Sequence, residues 1–442
     1  MSTEKKEKDP KDYPLRVAFI HPDLGIGGAE QLVVNLALTC KKLGWYTTLF
    51  TPSYDPKRAF SQTKDGTLKV EVHGNIFPRL IFGKMHAFCE YMRVFFCALW
   101  LLFFGGKFDL VIVDQIPFPI PLLNIRFKTL FYCHHPDKVL CTERNGILKK
   151  IYRFFIDMLE EFTMAFSHSI VVNSLYTRKI FLENFHLLKR IKNLPNVIYP
   201  CIDLHTYDTD TKIKKEDILK IKGLESLKDK DINNMKVIVS LNRYERKKNL
   251  DLAVLSYINY MERYQKEKPD SSCLIIAGGY DIFLTENIEV FNKLNSYIDT
   301  EEKKKLNIFF LKNIENNERS ILFRTANIVL YTPKFEHFGI VPVESMYCGA
   351  WVLASKTGGP MESVIDGKTG HLLDNEEPEK WADKINEMLS NDKFFDNTSM
   401  NNDDLRNVLN QHVQENFSLK TMEKDLFNEV QEIFKGKKLK SD

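Results

Sequence analysis

The 442-residue chain is 44% hydrophobic, 12% aromatic and 27% charged, with 62 basic and 59 acidic residues. That length exceeds one ordinary core and predicts two or three domains, while the apolar content excludes disordered, collagen-like and mini-protein chains. A formal charge of +3 leaves no footprint for nucleic acid.

Residues 1–14 are polar, lack the apolar stretch of a signal peptide and are expected to form a disordered tail. Leu15–Ile20 has the pattern of a buried parallel strand, followed by a glycine loop and a helix over 30–43 closed by Gly44. Further strands are expected at Tyr46–Phe50, Asp109–Asp114, Thr129–Cys133 and Ser169–Asn173, with Ser174 capping the next helix. Two segments among them are aromatic and basic. Val94–Phe104 falls well short of the roughly 20 residues that span a bilayer, and suits either a buried helix or an interfacial one. Ile147–Phe166 places Lys149, Lys150 and Arg153 among Ile151, Tyr152, Phe154, Phe155 and Leu159. Both are compatible with a membrane surface.

Residues 208–236 are rich in Lys, Asp and Asn, and are expected to be a solvated linker or insertion. The alternation of strand and helix then restarts, with strands at Val237–Leu241, Cys273–Ala277, Ile308–Leu311, Ile328–Tyr331 and Trp351–Ser355. The amphipathic stretch Leu419–Phe434 is expected to dock on a domain. The fold class is therefore α/β, with two Rossmann-like doubly wound domains over 15–207 and 237–415, and a C-terminal helix and tail over 416–442. The eight cysteines include no C-x-x-C pair, and suit reduced thiols in the cytosol.

Four loops carry residues suited to chemistry. His21-Pro-Asp-Leu-Gly-Ile-Gly27-Gly28-Ala-Glu30 joins a strand to a helix, where free N–H groups attract anions. Glu30 occupies the position where a dinucleotide fingerprint needs a small residue, and no acid ends the second strand, so NAD is rejected. The alternative is that these glycines only permit tight packing. Asn242-Arg243-Tyr-Glu-Arg246-Lys247-Lys248-Asn249 concentrates cations where doubly wound folds hold ligands, suiting phosphate oxygens or a solvated turn. Glu336-His-Phe-Gly339-Ile340-Val-Pro342-Val-Glu344 leaves the N–H groups of Gly339 and Ile340 near a helix start, with Pro342 and Glu344 expected in its first turn and Gly349 beyond its end. Glu336 and Glu344 could act in catalysis or bind sugar hydroxyls, or one could cap the helix and one lie on the surface. Gly358-Gly359-Pro360-Met-Glu362 repeats the strand, glycine and helix arrangement.

Gly-Gly-Ala-Glu, Arg243 with Lys248, Glu-x7-Glu and Gly-Gly-Pro-x-Glu occur in this order. Together they resemble the large retaining glycosyltransferase family with the GT-B fold, in which two Rossmann-like domains face a cleft. Phe131-Tyr-Cys-His-His-Pro-Asp137 and Ala277-Gly-Gly-Tyr-Asp281 resemble the branch of that family that assembles the dolichol-linked N-glycan precursor. The resemblance covers about residues 15–435 and is poorest over 208–235. It implies GDP-mannose as donor and Man1GlcNAc2 on dolichyl diphosphate as acceptor, extended by α-1,3 and α-1,6 mannose at the cytosolic face of the endoplasmic reticulum membrane. Other mannosyltransferases of that pathway would be partners. Competing readings are the later α-1,2-mannosyltransferase and a non-catalytic nucleotide-sugar-binding scaffold.

Residue by residue, the resemblance implies that Arg243 and Lys248 neutralise the departing diphosphate, aided by N–H groups at Gly339 and Ile340. Glu344 would bind ribose, and Glu336 would contact the mannose or stabilise charge at its anomeric carbon. His134 would face sugar and acceptor, while His135 is structural. Gly27 and Gly28 would admit the donor phosphate and acceptor, and Gly358 and Gly359 would join the donor site. No metal is implied.

Overall fold

The computed structural model describes residues 9, 12–81, 85–140, 146–191, 194–208, 213–374, 376–390 and 402–435. Most of the expected N-terminal tail, and the tail after 435, lie outside the described residues. The chain forms two units, one of residues 1–201 with 419–442 and the other of residues 202–418.

The first unit holds a seven-stranded parallel sheet: β1 (Arg16–Ile20), β2 (Tyr46–Thr51), β3 (Lys69–Val72), β4 (Leu110–Asp114), β5 (Lys128–Cys133), β6 (Ser169–Val172) and β7 (Asn196–Val197). Its spatial order is β3-β2-β1-β4-β5-β6-β7. Winding reverses between β1 and β4, whose registered pairs run from Val17↔Leu110 to Ile20↔Val113. The strands read as continuous apolar runs because helices cover both faces. Val17 and Phe19 enter one core with Leu32 and Leu36 of the Gly28–Lys42 helix, while Ala18 and Ile20 enter the other with Val94, Cys97 and Leu101. The expected C-terminal docking occurs on this unit: Met422, Leu426 and Val430 of the Leu419–Ile433 helix complete the first of those cores.

The His86–Phe104 helix carries features of both readings of Val94–Phe104. It is long and apolar enough to cross a membrane, but Val94, Cys97, Ala98 and Leu101 pack into the core. Trp100, Phe103 and Phe104 near its end are exposed.

The second unit holds β8 (Lys236–Leu241), β9 (Ser272–Gly278), β10 (Ile308–Lys312), β11 (Ile328–Tyr331), β12 (Trp351–Ser355) and β13 (Gly370–Leu373), all parallel. Their order, β10-β9-β8-β11-β12-β13, reverses between β8 and β11. From residue 213 on, the described part of 208–236 is an insertion in the second unit rather than a solvated linker. Ile218, Ile221, Leu224, Leu227, Ile232 and Met235 are buried, so the isolated apolar residues of this polar stretch anchor it to the second unit. The unit boundary accordingly falls at 201/202 rather than at 207, and the second unit continues to Ser418. The short strands β3, β7 and β13 escaped the sequence reading because they carry little contiguous apolar pattern.

Candidate functional site

Open parallel sheets place ligands beyond the carboxyl ends of their strands, where the winding reverses. Each unit gathers ionisable side chains at that point.

In the first unit, His21 follows β1, Asp114 ends β4 and His134 follows β5. His21 Nδ1 lies 2.6 Å from Asp114 Oδ2, and His134 Nε2 lies 2.7 Å from Asp114 Oδ1. Glu30, in the first turn of the Gly28–Lys42 helix, approaches His21 Nε2 at 4.0 Å. Burial alone would lower the His21 pKa, but Asp114 and Glu30 outweigh it and hold it at about 9. Burial would likewise raise the Asp114 carboxyl, and the two histidines instead hold it below the ordinary range. His21 and Asp114 are almost fully buried, whereas the His134 side chain keeps 15% of its surface accessible. His134 and Glu30, whose side chain keeps 22% accessible, are thus the members of this cluster within reach of a ligand.

Gly27 also has a packing reason that the sequence did not show. A Cβ there would lie 2.3 Å from Glu30 Oε2, so its lack of a side chain makes room for the Glu30 carboxylate. Around Gly28 a Cβ would meet nothing within 4 Å, which leaves this helix start open.

In the second unit, the loop after β8 carries Lys248, in a 3-10 turn over Arg246–Lys248. Thr332, just past β11, donates its hydroxyl to the Lys248 carbonyl at 2.9 Å. The Lys248 ammonium donates to Glu336, so sequence-distant candidates meet here. Burial would raise the Glu336 carboxyl, but attraction to Lys248, then to His337 and Lys247, holds it below the usual range. Tyr331 lies beneath this pair; burial, Glu336 and Glu344 push its hydroxyl pKa far up, so it stays neutral.

Gly339 begins the Ile340–Tyr347 helix at φ +82°, and a Cβ there would meet the Tyr331 ring at 2.9 Å. Only glycine suits that combination. No side chain caps this helix start, which leaves it available to an anion. Pro342 lies in the first turn and Gly349 follows the end, as expected. Glu344 lies in the second turn rather than the first, because the helix already begins at Ile340, directly after the left-handed residue Gly339. Both its oxygens are engaged, one accepting from the Tyr207 hydroxyl at 2.8 Å and the other from Arg319. A carboxylate has lone pairs beyond those two bonds, so it can still accept from a ribose hydroxyl.

The structure adds two placements that the sequence did not give. The Arg243 side chain is 61% exposed and pairs with Glu245 at 2.9 Å rather than with Glu336. Gly358 and Gly359 pack closely against the Glu336–Phe338 backbone. Their Cβ atoms would lie 2.3 Å from the Glu336 carbonyl oxygen and 2.2 Å from Phe338 Cα, and the Gly359 N–H already donates to the Glu336 carbonyl at 2.8 Å. Gly359→Ala should therefore displace the Glu336 loop and cost about 1–3 kcal/mol as overpacking. Denaturant unfolding checks this, and an unchanged midpoint with unchanged activity would refute the close packing.

Sequence reasoning missed His21, Asp114, Tyr207 and Arg319. The available signals were a histidine and an aspartate at the ends of adjacent apolar strands. Tyr207 and Arg319 gave none, because folding alone brings them to Glu344.

Residues 26–206 match the family described as Glycosyltransferase Family 4, and residues 225–404 match Glycosyl transferases group 1. The chain is 39% identical to the Dictyostelium discoideum α-1,3/1,6-mannosyltransferase ALG2, over 87% of this chain and 91% of that protein. It is 37% identical to the Homo sapiens protein of the same name, over 84% and 86%. Among solved structures, sucrose-phosphate synthase from Thermosynechococcus elongatus superposes with TM-score 0.69 at 16% identity, over 96% of this chain and 100% of that one. Anabaena HepE in complex with UDP-glucose gives 0.66 at 17%, over 94% and 99%. These structures share the fold, which is GT-B.

Proposed function

From its membership of the ALG2 family of α-1,3/1,6-mannosyltransferases, which the relatives above establish, we propose that this enzyme transfers mannose from GDP-mannose to a dolichyl-diphosphate-linked oligosaccharide. The observation that carries the reading is the Lys248–Glu336 pair at the winding reversal of the second unit. A lysine ammonium beside an uncapped helix start suits a departing diphosphate, whose negative charge grows as the glycosidic bond breaks. Glu336, kept ionised by Lys248, is suited to positive charge at the anomeric carbon. Glu344 is held for the nucleoside by Tyr207 and Arg319. Arg243, exposed and paired with Glu245, would turn to the phosphates when the donor binds. His134 serves the acceptor side, oriented by Asp114.

The transfer retains anomeric configuration and needs no metal, since Lys248 and the helix start supply the positive potential. The enzyme works at the cytosolic face of the endoplasmic reticulum membrane. Supporting this, the Ile147–Met164 helix exposes Leu148, Ile151, Phe154, Phe155, Met158 and Phe162 on one face.

Purified protein supplied with Man1GlcNAc2 on a polyprenyl diphosphate should add two mannoses from GDP-mannose, none from UDP-glucose, and remain active in EDTA. Loss of activity in EDTA that added divalent ion restores would overturn the metal-free mechanism. Tight GDP binding without transfer would favour a scaffold.

A further inference from the structure

A pocket of about 510 Å³ lies on the first unit, and none of its lining residues belongs to the His134 cluster. It is lined by Leu175, Arg178, Lys179 and Leu182 of the Leu175–Asn184 helix, and by His186 and Lys189 of the His186–Ile191 helix, with Glu183 as its one acid. Among the described residues, Arg178, Lys179 and Lys189 form no ion pair. Three permanent cations and one carboxylate leave the pocket electropositive, while Leu175 and Leu182 give it apolar walls. Such a lining suits a ligand that carries both phosphate and hydrocarbon.

The surroundings narrow the class. Glu161 of the Ile147–Met164 helix accepts from the N–H groups of Leu187, at 2.7 Å, and Leu188. This cap fixes the start of the His186–Ile191 helix against the apolar face that Met158 and Phe162 continue. Leu148 is 85% exposed on that face and Phe155 64%. Leu187, on the same short helix as His186 and Lys189, is exposed too. Lys149 and Lys150 add cations on the same helix. An apolar helix face bordered by unpaired cations complements an anionic lipid surface, with hydrocarbon below and phosphate at the level of the cations.

We propose that the pocket between the Leu175–Asn184 and His186–Ile191 helices binds the phosphate headgroup of an anionic phospholipid while the exposed face of the Ile147–Met164 helix rests among the acyl chains. The inference rests on the membrane-surface reading given above and assigns it a headgroup site. The pocket makes the docking selective for lipid charge, and the apolar face supplies the insertion common to all bilayers.

Vesicle flotation of the full-length protein tests it, using phosphatidylcholine alone and phosphatidylcholine mixed with phosphatidylserine. The wild type should favour the anionic vesicles, and Arg178→Glu/Lys189→Glu should lower partitioning to them by about tenfold or more while thermal unfolding stays unchanged. Phe154→Glu/Phe155→Glu should weaken binding to both vesicles. A double charge reversal that leaves the anionic preference intact would overturn the headgroup site and spare the membrane reading. Full release by millimolar inorganic phosphate would overturn it too, marking a site for soluble anions. Failure of the wild type to bind either vesicle would overturn both readings.

Discussion

Lys248→Ala should lower kcat for mannose transfer by about 10²–10³-fold, the scale of removing one preorganised group from developing negative charge. The nucleotide should still bind, since the ribose-side group Glu344 lies on the Ile340–Tyr347 helix and keeps its ties to Tyr207 and Arg319. The loss should therefore fall on kcat more than on KM, because the charge on the diphosphate grows in the transition state. The substitution also leaves Glu336 without its ammonium partner, so the Glu336 carboxyl should return upward and lose part of its ionised population near the acid limb of the pH profile. Lys248→Arg should restore part of the rate. GDP-induced stabilisation in a thermal shift experiment separates binding from turnover. Unchanged kcat would remove Lys248 from the leaving-group site.

Asp114→Asn should destabilise the protein by about 3–5 kcal/mol, because it removes a buried carboxylate that faces two histidines and leaves the buried His21 ring without its main partner. The effect has a pH signature. His21 titrates at about 9 in the folded chain, above its ordinary value of 6.5. Its stabilisation, roughly 3 kcal/mol by linkage, is fully present below pH ~6.5 and is lost as pH rises through 9. Asp114 and Glu30, both held below their ordinary values of 3.8 and 4.5, contribute stability that is present above those values and is lost as pH falls through their lowered folded ones. In Asp114→Asn, burial again dominates His21, so its pKa should drop and the alkaline loss of stability should shrink. Denaturant unfolding of wild type and variant between pH 6 and 10 measures this difference. Parallel slopes for the two proteins would show that His21 is not held by Asp114.

Transfer by Asp114→Asn should also fall, since His134 loses the carboxylate beside its Nε2. This loss should persist under conditions where the variant is fully folded, which distinguishes positioning of His134 from general instability.

Local pattern determined much of this protein. Contiguous, largely apolar runs announced ten of the strands, because a strand covered on both faces must be apolar along its length. The loops after β1, β8 and β11 were recognisable because glycine, proline and charge interrupt apolar runs at strand ends. Motif order then identified the family without any contact being known. The amphipathic period of Leu419–Phe434 showed that the segment must dock.

Only the tertiary structure decided which candidates meet. Lys248 and Glu336 lie 88 residues apart, and β8 pairing with β11 brings their loops together. The same pairing leaves Arg243 exposed beside Glu245, which its place in the same basic run did not reveal. Gly27, Gly358 and Gly359 looked alike in sequence as ligand-contacting glycines. Their reasons differ because each depends on the atom that fills the missing side chain's place: a carboxylate at Gly27, and neighbouring backbone at Gly358 and Gly359. Residues 208–236 looked solvated because their buried anchors are sparse, and sparse anchors carry no period. The His21–Asp114–His134 cluster arises from three strand ends lying side by side. A sequence specifies each strand by its own apolar pattern, but which ends become neighbours is set by the order in which the sheet winds.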